Sequence, residues 1–291
     1  MIANIESFIF QLMNYPYLQN ALLAAILVGI ICGVIGCFII LRGMALMGDA
    51  ISHAVLPGVV IAYMVGASFF IGAVITGVLT ALAIGFISQN SRIKEDSAIG
   101  IMFTAMFALG VVMITALQGT SVDLWHILFG NVLAVSQTDL YITMGIGIFV
   151  LLTIFVFYRP LLLSSFDETM AKATGLPVKW IHYMLMLLLS FVTVASLQTV
   201  GIILVVAMLI TPGATAYLLT ERFSVMLFLS ALFGIISAVS GLFWSVIYDV
   251  SSGASIVLVA SAIFIFFFFF APKQGLVFKW LRTPKRESKI S

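Results

Sequence analysis

Two ionisable residues, Asp49 and His53, lie four positions apart inside the apolar stretch "MALMGDAISHAVLPGVVIAYMVG", residues 44–66. Residues i and i+4 share one face of a helix, with Cβ atoms about 5–6 Å apart, so a single cation could contact both side chains. A carboxylate oxygen and an imidazole nitrogen suit Mn²⁺, Zn²⁺ or Fe²⁺, whereas the lack of a soft thiolate argues against Cu⁺. The spacing therefore predicts a divalent-metal site.

The depth of this pair also bears on its role. Asp49 is the one acidic residue, of eleven in the chain, that lies clearly within a predicted membrane span. An ionised carboxylate at membrane depth is costly, so such a residue is expected to be functional and to face the protein interior. The alternative is that Asp49 and His53 hydrogen-bond to each other and lock helix packing. Pro57 should kink the helix, with the pair on the cytoplasmic side of the kink.

Two ligands are too few to hold a divalent metal, and the other predicted spans offer no obvious third ligand. A twofold axis would remedy this, because two Asp49 and two His53 side chains would then meet at one site. The residues therefore predict a homodimer in which the second span lines the dimer axis.

The composition determines which elements must position the pair. Of 291 residues, 63% are hydrophobic and 8% are charged, and the mean hydropathy is +1.25. Apolar runs of about 20 residues recur along the chain, which is the length a helix needs to cross about 30 Å of hydrocarbon. We predict an all-α, polytopic transmembrane bundle of about nine spans, at roughly 21–41, 44–66, 69–88, 98–117, 139–158, 180–197, 200–220, 224–248 and 254–271. Eight spans remain the alternative, because only "LQTVG" divides the region 180–220.

The Lys and Arg residues fall in one set of alternate loops and in the C-terminal tail. The positive-inside rule places these segments in the cytoplasm, with the N-terminus outside and the C-terminus inside. The chain then divides into an extracellular segment, 1–17, a transmembrane domain, 18–271, and a basic cytoplasmic tail, 272–291. The first segment lacks the basic n-region of a cleaved signal peptide. A net charge of +2 distributed in this way gives no reason to expect a nucleic-acid partner.

The segment 119–141 lies on the outer side in this topology, and its apolar part is too short to span. We predict an interfacial or re-entrant helix, with Asp123 at its start and Trp125 at headgroup level. His126 is either an interfacial side chain or a metal ligand, and the sequence leaves both open.

Small residues in the first span bear on helix packing. Gly29 and Gly33 form a GxxxG motif, and Gly36 lies on nearly the same face, which favours close approach of another helix. The alternative is that glycine is simply common in membrane helices. Cys32 and Cys37 are expected to be packing residues, since they form no CxxC motif.

The chain contains no GxxxxGK[ST] phosphate loop and no series of membrane acids for a coupling ion. A transport cycle would therefore need energy from a partner. The predicted inner loop, 159–179, offers a docking point, because Ser165 and Glu168 match an S-x-x-E capping box and Gly175 gives a helix stop.

The helix predicted in this loop has about two turns. Phe166, Met170 and Ala173 can form one apolar face, which suits insertion into a groove of another protein. The alternative is a helix that lies on the membrane surface.

Three segments together resemble the integral-membrane permeases of bacterial ABC-type manganese, zinc and chelated-iron importers. They are "FIILRGMALMGDAISHAVLPG", "DETMAKATGLP" and "TVGIILVVAMLITPGATAYLL". The likeness runs in order from about residue 18 to 270 and leaves out the basic tail.

This resemblance implies a homodimeric permease of the bacterial plasma membrane, with two cytoplasmic ATPase subunits and an extracellular metal-binding protein. The transmembrane chain would not itself be an enzyme and would hold no permanent cofactor. Asp49 and His53 would coordinate the transported metal transiently. Pro57 and Pro212 would mark helix kinks near the pathway. The coupling helix would contain Phe166, Asp167, Glu168, Met170, Ala171 and Gly175.

Two other classes of function remain as alternatives. A secondary metal transporter would need coupling-ion acids in other spans, and a channel or scaffold without an ATPase would leave the capped loop unexplained. The choice among Mn²⁺, Zn²⁺ and Fe²⁺ is open, because Zn²⁺ exceeds Mn²⁺ in intrinsic affinity for most sites. The oxygen donor and the absence of Cys ligands favour manganese.

Overall fold

The structure is a computed structural model that describes residues 2–116 and 132–271. Within these ranges the chain is helical, with short loops, one 3₁₀ turn at Val132–Ala134 and no strand. The helices are α1 (Ile2–Asn14), α2 (Pro16–Arg42), α3 (Met47–Ala54), α4 (Leu56–Val65), α5 (Phe69–Asn90), α6 (Glu95–Ala116), α7 (Gln137–Val156), α8 (Tyr158–Phe166), α9 (Glu168–Ala173), α10 (Val178–Val200), α11 (Ile202–Leu219), α12 (Phe223–Tyr248) and α13 (Ser252–Phe270).

The predicted bundle of nine spans is confirmed for the described part of the chain. Nine segments there are long and apolar enough to cross a membrane: α2, α3 with α4, α5, α6, α7, α10, α11, α12 and α13. The eight-span alternative fails at Gly201, which has a φ of 84° and separates α10 from α11. A residue with a side chain rarely adopts that conformation, so glycine ends the helix there.

Helix α2 lies at the centre of the bundle and packs against α12, α11, α7 and α10. A Cβ added to Gly29 would lie 2.9 Å from the carbonyl carbon of Gly234 in α12. One turn later the hydroxyl of Ser230 donates to the Gly33 carbonyl at 2.7 Å, and Gly36 meets the Leu209 carbonyl of α11. The predicted close packing is confirmed, because these contacts require small residues on α2.

The boundary predicted between residues 17 and 18 needs correction. Residues 1–17 were predicted only as an extracellular segment, but α1 covers most of them, and Phe8 packs edge-on against Phe243 at 5.3 Å. Helix α2 begins at Pro16, since proline suits the first turn of a helix, so position 17 is no structural boundary. The predicted segment around Asp123, Trp125 and His126 lies outside the described residues.

The second span is divided into α3 and α4 at Val55. Pro57 has no N–H to donate to the His53 carbonyl, four residues earlier, which explains an interruption at this position. Gly58 follows and lies against Gly72 of α5 so closely that any side chain would collide with its carbonyl. The short helix α3 that precedes this division carries Asp49 and His53.

Candidate metal site and its surroundings

Asp49 and His53 are the solvent-accessible residues of helix α3. Their side chains are 41% and 29% exposed, whereas the other residues of α3 are buried. The His53 Nε2 lies 3.5 Å from the Asp49 Oδ1, which is at the outer limit for a hydrogen bond. The pair is thus accessible from the side of the chain and is not closed by a tight internal contact.

The imidazole of His53 lies against two aromatic rings of α6. Its ring centroid is 5.3 Å from that of Phe103 and 5.4 Å from that of Phe107, both in edge-to-face geometry. The two phenyl rings, one turn apart, stack at 6.1 Å. The spacing of Phe103 and Phe107 is visible in the sequence. Their contact with His53 is not, because it depends on how α6 packs against α3.

Within residues 2–116 and 132–271, no cluster of three or more His, Cys, Asp or Glu side chains could hold a metal ion. The described cysteines, Cys32 and Cys37, are buried and unpaired, as expected of packing residues.

A second polar cluster lies at the C-terminal end of α2. It contains Arg42, Ser164, Ser165, His182 and Glu95, and is here called the Arg42 junction. The Arg42 guanidinium donates to Ser164 at 2.7 Å, to Ser165 at 3.0 Å and to the His182 Nδ1 at 3.2 Å. The junction therefore joins the end of α2 to α8 and to the first turns of α10.

His182 lies near the start of α10, beside Lys179 and Trp180, but its polar tip does not extend into water. The residue is buried, and its Nε2 lies 3.7 Å from the Glu95 Oε1, which begins α6. Because arginine only donates, its bond fixes Nδ1 as the acceptor and places the imidazole proton on Nε2, facing Glu95. Neither Nε2 nor Oε1 has a hydrogen-bond partner among the described residues.

A polar cavity of about 540 Å³ opens beside this junction. Its lining includes Arg42, Glu95 and His182 together with Glu168 and Lys172 of α9. The Lys172 ammonium lies 2.7 Å from the Glu168 carboxylate, and its hydrogen bond holds the pKa of Glu168 below the ordinary range. Helix α9 thus lies beside the ends of four spans, α2, α5, α6 and α10, which also line the cavity.

The helix predicted after Ser165 is present as α9, but its cap was misassigned. Asp167 is the N-cap, and its carboxylate accepts the Met170 N–H at 2.9 Å. Ser165 still belongs to α8, where its hydroxyl donates to the Leu161 carbonyl and accepts from Arg42. The capping-box prediction is wrong because Ser165 has these partners and the chain leaves helical geometry only at Asp167.

Phe166, predicted to belong to the loop helix, is instead the last residue of α8. Phe166 and α9 together have an exposed apolar part and a buried anchor. Phe166 and Met170 are 60% and 57% exposed, whereas Ala171 is fully buried against the chain itself. Gly175 has a φ of 80° and ends the segment, with the Leu176 N–H donating to the Ala171 carbonyl. The helix has six residues, fewer than the two turns predicted.

The two prolines predicted near the pathway differ in effect. Pro57 follows the division between α3 and α4, one turn beyond His53. Pro212 is buried inside α11, which continues without a break on both sides of it.

The chain as a whole is similar to known proteins. Residues 14–271 match the model of the ABC 3 transport family. The chain is 74% identical over 290 residues to the manganese transport system membrane protein MntC of Halalkalibacterium halodurans, covering 100% of this chain and 99% of that protein. It is 52% identical over 270 residues to the manganese import system permease protein ScaB of Streptococcus gordonii, covering 93% and 97%.

The fold also matches a solved structure described as PsaBC from Streptococcus pneumoniae in complex with Fab. The TM-score is 0.84 at 53% identity, and the match covers 96% of this chain and 100% of the other. The family model spans nearly all of the membrane bundle, including Asp49, His53 and α9. The chain therefore belongs to the ABC 3 transport family.

Proposed function

We propose that this chain is the membrane-spanning subunit of a bacterial ATP-binding-cassette importer that carries Mn²⁺ into the cytoplasm. The observation that carries the proposal is the accessible Asp49–His53 pair in a chain 74% identical to a protein named for manganese transport. A carboxylate and an imidazole suit this ion, and the pair lies within a membrane span.

A second copy of the chain completes the metal site. One chain supplies two ligands and leaves both partly exposed, so a twofold axis beside α3 brings four ligands together. Since the ion is cargo, it must leave again, and an open pair without a tight internal contact suits transient coordination. Zn²⁺ binds such ligands more tightly, so selection depends on the geometry of the assembled site and on the protein that delivers the ion.

The Arg42 junction faces the cytoplasm in this proposal. The positive-inside rule supports this orientation, because Lys and Arg residues lie in the loops at that end. Residues 1–17 then lie on the outer side, where a metal-binding protein delivers the ion, and the tail 272–291 lies inside.

The docking element for the ATPase is α9 together with Phe166 at the end of α8. Phe166 and Met170 offer an exposed apolar contact, Asp167 and Gly175 delimit the helix, and the buried Ala171 anchors it. Phe166→Asp should abolish co-purification of the ATPase, whereas Thr169→Asp, which adds the same charge on α9, should preserve it. Equal ATPase recovery from both variants would contradict the docking role.

The function is tested with the assembled importer in proteoliposomes. ATP-dependent Mn²⁺ uptake is expected in the parent and should fall to background in Asp49→Asn at normal membrane abundance. Asp249→Asn is the matched control, because it removes an exposed carboxylate at a left-handed position that asparagine tolerates. Uptake near the parental rate in Asp49→Asn would refute the ligand assignment.

A further inference from the structure

The side chain of His53 lacks the support that a metal-binding imidazole usually has. Such a histidine normally donates its second ring N–H to a carboxylate or a carbonyl, which fixes the tautomer and the ring orientation. Across residues 2–116 and 132–271, no such hydrogen bond holds His53, and Asp49 remains 3.5 Å away. Something else must restrict a ring that is 29% exposed.

The aromatic pair on α6 supplies that restriction. Phe103 and Phe107 contact the imidazole at interplanar angles of 63° and 84°, and they stack on each other at 21°. Two edge-to-face contacts from one helix narrow the rotation of the imidazole about χ1 and χ2. They also cover part of the ring with hydrocarbon, which limits the access of water to that side of the imidazole.

The helix that carries these rings is itself fixed beside the metal pair. A Cβ on Gly110, one turn beyond Phe107, would lie 2.7 Å from the Leu56 Cγ at the start of α4. Glu95 at the other end of α6 faces His182 in the Arg42 junction. Close packing on one side and the polar junction on the other hold the phenyl rings at a constant distance from α3.

We propose that Phe103 and Phe107 are positioning residues that hold the His53 imidazole ready for the metal and thereby set the affinity of the site. The inference rests on the proposed role of Asp49 and His53 as metal ligands. The aromatic rings do not touch the ion, so their removal weakens binding without abolishing it.

The test measures Mn²⁺ binding to the assembled importer in lipid nanodiscs, with MnCl₂ as the probe. Phe103→Leu and Phe107→Leu should each weaken binding roughly three- to tenfold, the range expected from losing one aromatic contact. Phe103→Tyr keeps the ring and should bind within about twofold of the parent. Phe149→Leu, which also loses a single edge-to-face contact but on α7, should leave the affinity unchanged.

A double-mutant cycle separates positioning from general packing. In a His53→Gln background no imidazole remains to be oriented, so Phe103→Leu should weaken residual binding by less than about twofold. An equal loss in both backgrounds would overturn the inference. If the leucine variants fail to assemble, Phe103→Met and Phe107→Met carry the same expectation, and parental affinity in both would overturn it.

Two outcomes distinguish this inference from the proposed function. Parental Mn²⁺ binding by Asp49→Asn would overturn both. Loss of binding in Asp49→Asn together with parental binding in both leucine variants would overturn the positioning role and leave the metal site standing.

Discussion

Two histidines of the described residues, His53 and His182, lie in membrane-spanning helices, and their surroundings differ. His53 is partly exposed, contacts two phenyl rings and faces a carboxylate at 3.5 Å. His182 is buried, accepts a bond from Arg42 and faces Glu95. Both are imidazoles near a carboxylate, so residue type and proximity alone would rank them equally.

The comparison shows that access and tautomer decide which histidine can bind a cation. At His182 an adjacent guanidinium occupies one nitrogen, and the other carries the proton, so neither lone pair is free for a metal. At His53, neither ring nitrogen forms a hydrogen bond with any residue that the structure describes. The first arrangement joins the ends of several helices, and the second leaves the imidazole accessible.

The largest expected effect separates the two histidines by mutation. His53→Gln should reduce Mn²⁺ uptake to background at normal abundance, because it removes the proposed metal ligand. His182→Gln should lower the amount of assembled protein, and uptake should fall only in step with that amount. Uptake assays normalised to membrane abundance measure both, and a specific uptake defect in His182→Gln alone would reverse the assignment.

The next effect concerns the stability of the Arg42 junction. Arg42→Met leaves Ser164, Ser165 and His182 without their shared donor, which should cost about 1–3 kcal/mol of folding free energy. Denaturation of the purified chain in detergent measures the change. Arg92→Met removes an exposed arginine and should alter stability little. Comparable losses in both variants would show that the junction adds no stability.

The smallest expected effect concerns the cap of α9. Asp167→Ala removes the acceptor for the Met170 N–H and should destabilise α9 by about 1 kcal/mol. Glu168→Ala leaves that cap intact, so its effect should be smaller. Amide hydrogen exchange at Met170 and Ala171 measures the difference, and faster exchange in Glu168→Ala than in Asp167→Ala would favour the capping box after all.

Local features of this chain were predictable from sequence, and contacts between distant segments were not. Hydropathy located the spans, and the i, i+4 rule placed Asp49 and His53 on one face, because both depend on residues within one helix. The hydrogen bond from Arg42 to His182 joins residues 140 positions apart, and no local sequence pattern predicts it. The cap of α9 was misplaced because Ser165 and Asp167 are both plausible caps, and distant Arg42 favours keeping Ser165 in α8.

Helix α6 has no break from Glu95 to Ala116, and this continuity has a mechanical consequence. Phe103 and Phe107 lie about 12 and 18 Å along the axis from Glu95, at about 1.5 Å per residue. A continuous helix turns as a rod, and a side chain about 5–6 Å from its axis moves by about 2 Å when the rod turns by about 20°. A small torque on the first turn of α6 would therefore reach the imidazole of His53 as a displacement comparable to the length of a metal–ligand bond.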